Sequence, residues 1–157
     1  MAVLVRRAGP QDARFLRDML RHALYWRERV PGSRVSRYVR AWGRPGDTAL
    51  IAIEGGFPVG AAWYRLFTED EPGYGFVDER TPELAIAVVP SKRGRGIGEQ
   101  LLQALLERAQ QDGHEQVSLS VAPENPSVHL YERYGFEVVE RGSEAWTMKA
   151  RVASPPG

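Results

Sequence analysis

The chain of 157 residues contains no cysteine, which excludes disulfides, cysteine-ligated metal centres and a cysteine nucleophile. Histidine is scarce as well, because only His22, His114 and His129 occur and they lie far apart along the chain. We therefore expect no metal site. No apolar run approaches the roughly 20 residues that cross a bilayer, and no signal peptide is visible. These absences favour a cytoplasmic protein with no membrane partner.

The net charge is only +1, from 21 basic and 20 acidic residues, but the two signs are unevenly distributed. Residues 1–44 carry 11 arginines and three acidic residues, whereas acidic residues are in excess over the remainder. An arginine-rich start can be a transit peptide or a nucleic-acid-binding arm. Because this segment has its own strand and helix pattern, we favour solvated helix faces and expect no nucleic-acid partner.

The hydrophobic pattern predicts one domain over residues 1–150 and a flexible tail over 151–157. The element order is β-α-α-β-β-β-α-β-α-β-β, which combines hairpins with strand–helix–strand units. We therefore predict an α/β (α+β) fold with a mixed, mostly antiparallel central sheet and helices on both faces. The predicted strands are 3–6, 48–53, 58–67, 83–89, 117–121, 136–140 and 145–149, and the predicted helices begin near Asp12, Ser33, Ile97 and Asn125.

A glycine-rich turn, residues 88–98, joins the buried strand 83–89 to the amphipathic helix that begins at Ile97. Glycines let a ligand approach the backbone, and the free N–H groups at a helix start attract anions. The sequence therefore predicts an anion site. The turn lacks the Walker pattern and places its third glycine at 98, not at the 99 that dinucleotide-binding folds require. A turn without a ligand is the alternative. The positive charge at this turn would come from Lys92, Arg93 and Arg95.

A second informative run, Asn-Pro-Ser-Val-His-Leu-Tyr-Glu-Arg-Tyr-Gly-Phe, occupies residues 125–136. Together with the Arg-Gly-Arg-Gly-Ile-Gly signature at 93–98, it resembles the GNAT family of N-acetyltransferases. The resemblance covers the element order of the whole chain, while the specific motifs lie between residues 83 and 136. It implies transfer of an acetyl group from acetyl-CoA to a primary amine. Without a cysteine, direct attack by the amine in a ternary complex is expected.

The resemblance also implies the residues that would hold acetyl-CoA. The strand end at Val88 would hydrogen-bond the pantetheine arm, and Asn125 and Ser127 would lie near the pantetheine or thiol end. The pyrophosphate would be bound by the backbone of Arg93, Gly94, Arg95, Gly96, Ile97, Gly98 and Glu99.

Two side chains are implied as catalytic. Tyr131 would be the general acid, because a phenol can protonate a departing thiolate in a dry site. Glu83 would be the general base, acting through water, with Asp78 and Glu79 as competitors. The structural alternatives are a core tyrosine at position 131 and a water-facing carboxylate at position 83. We assign Tyr134 to packing.

The acceptor site has weaker signals. Trp63 and Arg65 share one face of a strand and are predicted to contact the substrate, with a role in the core as the alternative. The acidic loop at residues 69–79 could attract a cationic amine. A small-molecule or peptide amine fits equally well, and a homodimer is compatible with the resemblance. A different class of function is a non-catalytic acyl-CoA-binding sensor or interaction module.

Overall fold

The computed structural model describes residues 2–24 and 34–152. Over this part of the chain, seven strands and three α-helices follow the predicted order, except that a 3-10 turn at Val35–Tyr38 stands where the second helix is predicted. Further 3-10 turns occur at Pro10–Asp12 and Pro90–Lys92. The strands are β1 (Val3–Arg7), β2 (Thr48–Glu54), β3 (Phe57–Arg65), β4 (Glu83–Val88), β5 (Gln116–Val121), β6 (Glu137–Arg141) and β7 (Trp146–Arg151). The helices are α1 (Ala13–Ala23), α2 (Ile97–Gln111) and α3 (Ser127–Arg133).

The strand order in the sheet is β1-β2-β3-β4-β5-β7-β6. The pairs β1–β2, β2–β3, β5–β7 and β6–β7 are antiparallel, and β4 pairs with β5 in parallel. The prediction of a mixed, mostly antiparallel sheet is therefore confirmed. None of the described helices is both long and apolar enough to span a membrane.

Two compact units divide the chain. The first comprises Met1–Arg65 and Ala85–Leu105, and the second Leu66–Leu84 and Leu106–Gly157. Strand β4 and helix α2 each contribute residues to both. Each unit has its own buried apolar side chains, among them Leu16, Ile51, Trp63, Leu101 and Leu102 in the first, and Val117, Leu119, Phe136 and Met148 in the second. The single domain over residues 1–150 stays a prediction.

The helix predicted from Ser33 is wrong over its described part. Only one 3-10 turn forms, at Val35–Tyr38, and Ala41 then adopts a left-handed conformation with φ 52°. The carboxylate of Asp47 accepts the backbone N–H groups of Gly43 and Arg44, so this segment closes as a loop instead of extending a helix. Ser33 itself lies outside the described residues.

Several strand ends differ from the predicted bounds by one or two residues. Glu54, one residue beyond the predicted strand 48–53, is the last residue of β2, and the hairpin turn is Gly55-Gly56 with φ 60° and 83°. Two positive φ values are typical of the turn that suits a tight hairpin. At the other end, β7 includes Arg151, and the Val152 N–H donates to the Glu115 carbonyl. Residues 153–157 of the predicted tail lie outside the described part.

Candidate active site

The glycine turn lies in the first unit, between β4 and α2. Gly94 and Gly96 have φ 78° and 80°, a region that disfavours residues with a Cβ. A Cβ placed on either glycine would meet no atom within 4 Å. Among the described residues, the N–H groups of Gly94, Gly96 and Ile97 donate to no main-chain carbonyl. The turn therefore combines open space, unused donors and the start of a 15-residue helix, which suits a phosphate group.

Each of the three predicted cations at this turn has a partner in the first unit. Lys92 Nζ lies 2.9 Å from Glu54 Oε1, and Arg95 makes two bonds to the same carboxylate, of 3.1 and 2.7 Å. Arg93 Nε donates to the Val88 carbonyl at 3.1 Å. Hydrogen bonds from Lys92 and Arg95 hold the pKa of Glu54 below its ordinary value. The backbone of the turn is thus better placed than these side chains to bind an anion directly.

Sequence reasoning missed Glu54. Its partners lie far along the chain, and the only local signal is a carboxylate at the end of an apolar strand. The carboxylate is buried in the structure, with 6% of the side chain exposed. Its role could be found only once the fold had brought the end of β2 to the glycine turn.

Contacts with β3 and β1 hold the residues that flank the centre of the glycine turn. The Val89 N–H donates to the Val59 carbonyl at 2.8 Å, and Gln100 Nε2 donates to the Val3 carbonyl at 3.2 Å. Gly60 permits a close approach here, because a Cβ on it would lie 3.1 Å from the Ala87 carbonyl oxygen. The residues on both sides of the centre of the turn are therefore held by hydrogen bonds to β-strands.

In the second unit, Asn125 organises the start of α3. Its Oδ1 accepts the Ser127 N–H at 2.9 Å, and its carbonyl accepts the Val128 N–H at 3.1 Å. The N-cap residue of α3 is Pro126, which makes no side-chain cap hydrogen bond, so Asn125 closes a turn just before the helix and does not cap it. The helix begins at Ser127 and stops before Gly135, whose φ is 88°.

Tyr131 lies on α3 with its ring centroid 5.6 Å from that of Phe136, at a tilted angle of 59°. Desolvation raises the pKa of the Tyr131 hydroxyl to about 12. The hydroxyl is therefore a protonated donor at neutral pH and can act on a ligand.

Glu83, the first residue of β4, is 1% exposed. It stands opposite Ser118 of β5 in the parallel register, and the Ser118 N–H donates to the Pro82 carbonyl at 3.0 Å. The alternative of a water-facing carboxylate is wrong. A carboxylate this deeply buried is costly unless something stabilises it, and such groups are concentrated at functional sites.

The loop before Glu83 is fastened to β5. Ser118 Oγ donates to the Gly75 carbonyl at 2.7 Å, and a Cβ on Gly75 would lie 2.5 Å from the carbonyl carbon of Leu119. Asp78 and Glu79, the two carboxylates that compete with Glu83 for the role of base, both accept hydrogen bonds within the loop. Asp78 Oδ1 accepts the Arg80 N–H and the Thr81 hydroxyl, and Glu79 Oε2 accepts the Glu69 N–H.

Trp63 and Arg65 are buried in the first unit, at 0% and 1% exposure. The Trp63 indole N–H donates to the Tyr38 carbonyl at 3.1 Å. The Arg65 guanidinium binds Asp47 and two main-chain carbonyls. Both side chains therefore have structural roles, and their predicted contact with an acceptor stays a prediction.

Comparisons with known proteins agree with these features. The model of the Acetyltransferase (GNAT) family matches residues 14–136. The chain belongs to the GNAT family, which confirms the resemblance. No group of three or more metal-ligating side chains occurs among the residues that the structure describes.

Two curated relatives are similar to parts of the chain. Mycothiol acetyltransferase of Corynebacterium aurimucosum is 37% identical over 82 residues, which cover 52% of this chain and 25% of that protein. L-methionine sulfoximine/L-methionine sulfone acetyltransferase of Pseudomonas paraeruginosa is 35% identical over 96 residues, covering 60% of this chain and 54% of that protein. The chain thus spans a quarter to about half the length of these two relatives.

Solved structures share the fold. YncA of Salmonella typhimurium, a putative acetyltransferase with its cofactor acetyl-CoA, has a TM-score of 0.76 at 21% identity and covers all of this chain and 98% of its own. A phosphinothricin acetyltransferase of Sinorhizobium meliloti in complex with AcCoA has a TM-score of 0.71 at 24% identity, over 98% of this chain and 90% of its own.

Proposed function

We propose that this protein is an acetyl-CoA-dependent N-acetyltransferase that acts on an amine by direct transfer. The observation that carries the proposal is the turn at Gly94 and Gly96, which leaves room and unused N–H donors at the start of α2. A phosphate-bearing donor suits such a turn. Membership of an acetyltransferase family gives the class of donor.

The residues of the turn fit the pyrophosphate of coenzyme A. The backbone from Arg93 to Glu99 would bind it, while Lys92 and Arg95 add positive charge nearby without leaving Glu54. Val88 would hydrogen-bond the pantetheine arm, although its carbonyl already accepts Arg93. Asn125 uses Oδ1 to accept the Ser127 N–H, which leaves its amide N–H groups for the cofactor, and Ser127 would lie nearby.

Acetyl-CoA, when bound, supplies the thioester from which the acetyl group is transferred. Glu83 would accept, through a water molecule, the proton that the amine loses as its nitrogen–carbon bond forms. Tyr131 would donate its proton to sulfur as the carbon–sulfur bond breaks. The raised pKa of Tyr131 keeps that proton available across the neutral range.

We propose a small-molecule amine as the acceptor. The curated relatives carry names of small-molecule substrates, mycothiol and L-methionine sulfoximine or sulfone. A peptide amine is the second candidate, because a ribosomal-protein-alanine N-acetyltransferase of Brucella melitensis shares the fold at 25% identity, with a TM-score of 0.69 over 94% of this chain and 99% of its own.

The test combines calorimetric binding of acetyl-CoA with a thiol-release assay over a panel of amines, including amino-acid analogues, polyamines and peptides with a free N-terminus. We expect binding and amine-dependent release of free thiol. Binding without turnover on any amine would favour a non-catalytic acyl-CoA-binding module. No binding of acetyl-CoA would overturn the proposal.

A further inference from the structure

The carboxylate of Glu54 joins two cations of the glycine turn at a single buried point in the first unit. Its Oε1 accepts Lys92 Nζ at 2.9 Å and Arg95 Nη1 at 3.1 Å, and its Oε2 accepts Arg95 Nη2 at 2.7 Å. Glu54 is 6% exposed, whereas the side chains of Lys92 and Arg95 are 35% and 44% exposed. The two cations therefore bind one buried carboxylate, which lies at the end of β2.

Arg95 lies between the two glycines of the turn, Gly94 and Gly96. Gly94 and Gly96 both have positive φ and have no neighbour within 4 Å of a Cβ position. Glycine loses more conformational freedom than any other residue when it is ordered. A two-point bond from the Arg95 guanidinium to Glu54 fixes the middle of this Gly-Arg-Gly segment.

The flanks of the turn are fixed by other contacts. Val89 is bonded to Val59 and Gln100 to Val3. Loss of the Glu54 carboxylate would therefore release the centre of the turn while its ends stay in place. A substitution at Glu54 would therefore change the conformation of the turn and leave the surrounding sheet intact.

We infer that Glu54 is a positioning residue for the phosphate-binding turn, and that it raises the affinity for coenzyme A by ordering the turn before the ligand arrives. The inference rests on the proposed function. Ordering a loop in its bound conformation removes that cost from binding. Glu54 itself touches no phosphate, because an anion would repel one.

Simple electrostatics gives the opposite expectation, which makes the sign of the effect decisive. Replacing Glu54 with glutamine removes one negative charge beside two cations, so charge alone predicts tighter binding of an anionic ligand. Positioning predicts weaker binding. The direction of the change in affinity therefore distinguishes the charge effect from the positioning effect.

The experiment measures binding of coenzyme A to E54Q by calorimetry, with E107Q as a matched control. Glu107 is an exposed carboxylate on α2. We expect E54Q to weaken binding by about tenfold and E107Q to leave it unchanged. Binding of E54Q as tight as that of the wild type, or tighter, would overturn the inference. A wild type that binds no coenzyme A would instead overturn the proposed function.

Glu54→Asp provides a second variant, for use if E54Q does not fold as judged by thermal unfolding. It keeps the charge but shortens the side chain, so it cannot reach both cations in the same geometry. We expect affinity between those of the wild type and E54Q, whereas wild-type affinity in E54D would contradict positioning.

A truncated donor separates positioning from general damage. S-acetylpantetheine lacks the pyrophosphate, so its rate of amine acetylation should be the same in the wild type and in E54Q. The KM for acetyl-CoA should rise while its kcat at saturation is retained. An equal loss of rate with both donors would show that E54Q disturbs the site as a whole, against the inference.

Discussion

Arg65 Nη2 lies 2.6 Å from Asp47 Oδ2, while Arg65 Nε donates to Asp47 Oδ1 at 2.9 Å. Both side chains are almost completely buried, at 1% and 3% exposure. The remaining guanidinium nitrogen donates to the carbonyls of Arg37 and Arg40. The guanidinium carbon also lies 5.1 Å from the centroid of the Trp42 ring. Arg65 thus ties the loop after the Val35–Tyr38 turn to β3.

Replacing Arg65 with methionine should lower the free energy of unfolding by about 3 kcal/mol, because Asp47 would remain as a buried charge without its partner. Urea unfolding followed by circular dichroism measures this. The control is Arg14→Met, at an exposed arginine of α1, which should change stability by less than about 0.5 kcal/mol. Equal stability of the two variants would show that the Arg65–Asp47 pair contributes nothing.

Helix α2 illustrates what the sequence determines locally. The helix begins at Ile97 as predicted and continues to Gln111, because apolar residues recur at helical spacing and Gly113 follows with a positive φ of 86°. The segment from Val35 to Trp42 has a similar pattern but forms only one 3-10 turn. Arg65, from β3, binds two carbonyls of that segment, and Asp47 binds the N–H groups of Gly43 and Arg44 just after it.

The residues of the candidate site likewise fall into those that the sequence identifies and those that only the fold reveals. Gly94, Gly96 and Tyr131 could be selected from the sequence because their motifs are contiguous. Glu54 could not, because the chain separates it from Arg95 by 41 residues and no pattern links the two. Residue type and strand face suggest that Arg65 contacts the substrate. Only the packing shows that its guanidinium N–H groups donate to partners within the protein.

Tyr131→Phe removes the hydroxyl that we assign to the departing thiolate. We expect kcat to fall at least about tenfold, with the affinity for coenzyme A unchanged, as measured by initial rates and by calorimetry. Tyr134→Phe, three residues further on, is the matched control and should keep most of the rate. Because the pKa of Tyr131 is raised to about 12, the wild type should show no loss of rate from its ionisation below about pH 10. Wild-type turnover in Tyr131→Phe would exclude it as the general acid.

Glu83→Gln keeps the size of the side chain but removes its ability to accept a proton. If Glu83 is the base, the rate should fall mainly below the pKa of the acceptor amine, where the amine still carries the proton that must be removed. A pH–rate profile at saturating acetyl-CoA measures this effect. Asp78→Asn and Glu79→Gln test the competing loop carboxylates in the same assay and should leave the profile unchanged. An unchanged profile in Glu83→Gln would reject Glu83, and a changed one in either loop variant would move the role there.

Asp12 should make the start of α1 sensitive to acid. Its carboxylate accepts two bonds from Arg6, of 2.8 and 2.9 Å, and the Gly9 N–H at 2.8 Å. The hydrogen bonds from Arg6, followed by the one from Gly9, hold the pKa of Asp12 below its ordinary value of 3.8.

Since the folded state lowers the pKa of Asp12, its contribution to stability is present above pH 3.8 and is lost as the pH falls through the folded value. Asp12→Asn should therefore lower the free energy of unfolding by about 1 kcal/mol at pH 7, and the difference from the wild type should shrink as the pH approaches 2. Urea unfolding at several pH values measures both quantities. Asp18→Asn, at an exposed residue of α1, should follow the wild type throughout. A difference between Asp12→Asn and the wild type that stays constant down to pH 2 would show that packing, and not the charge of Asp12, stabilises this helix start.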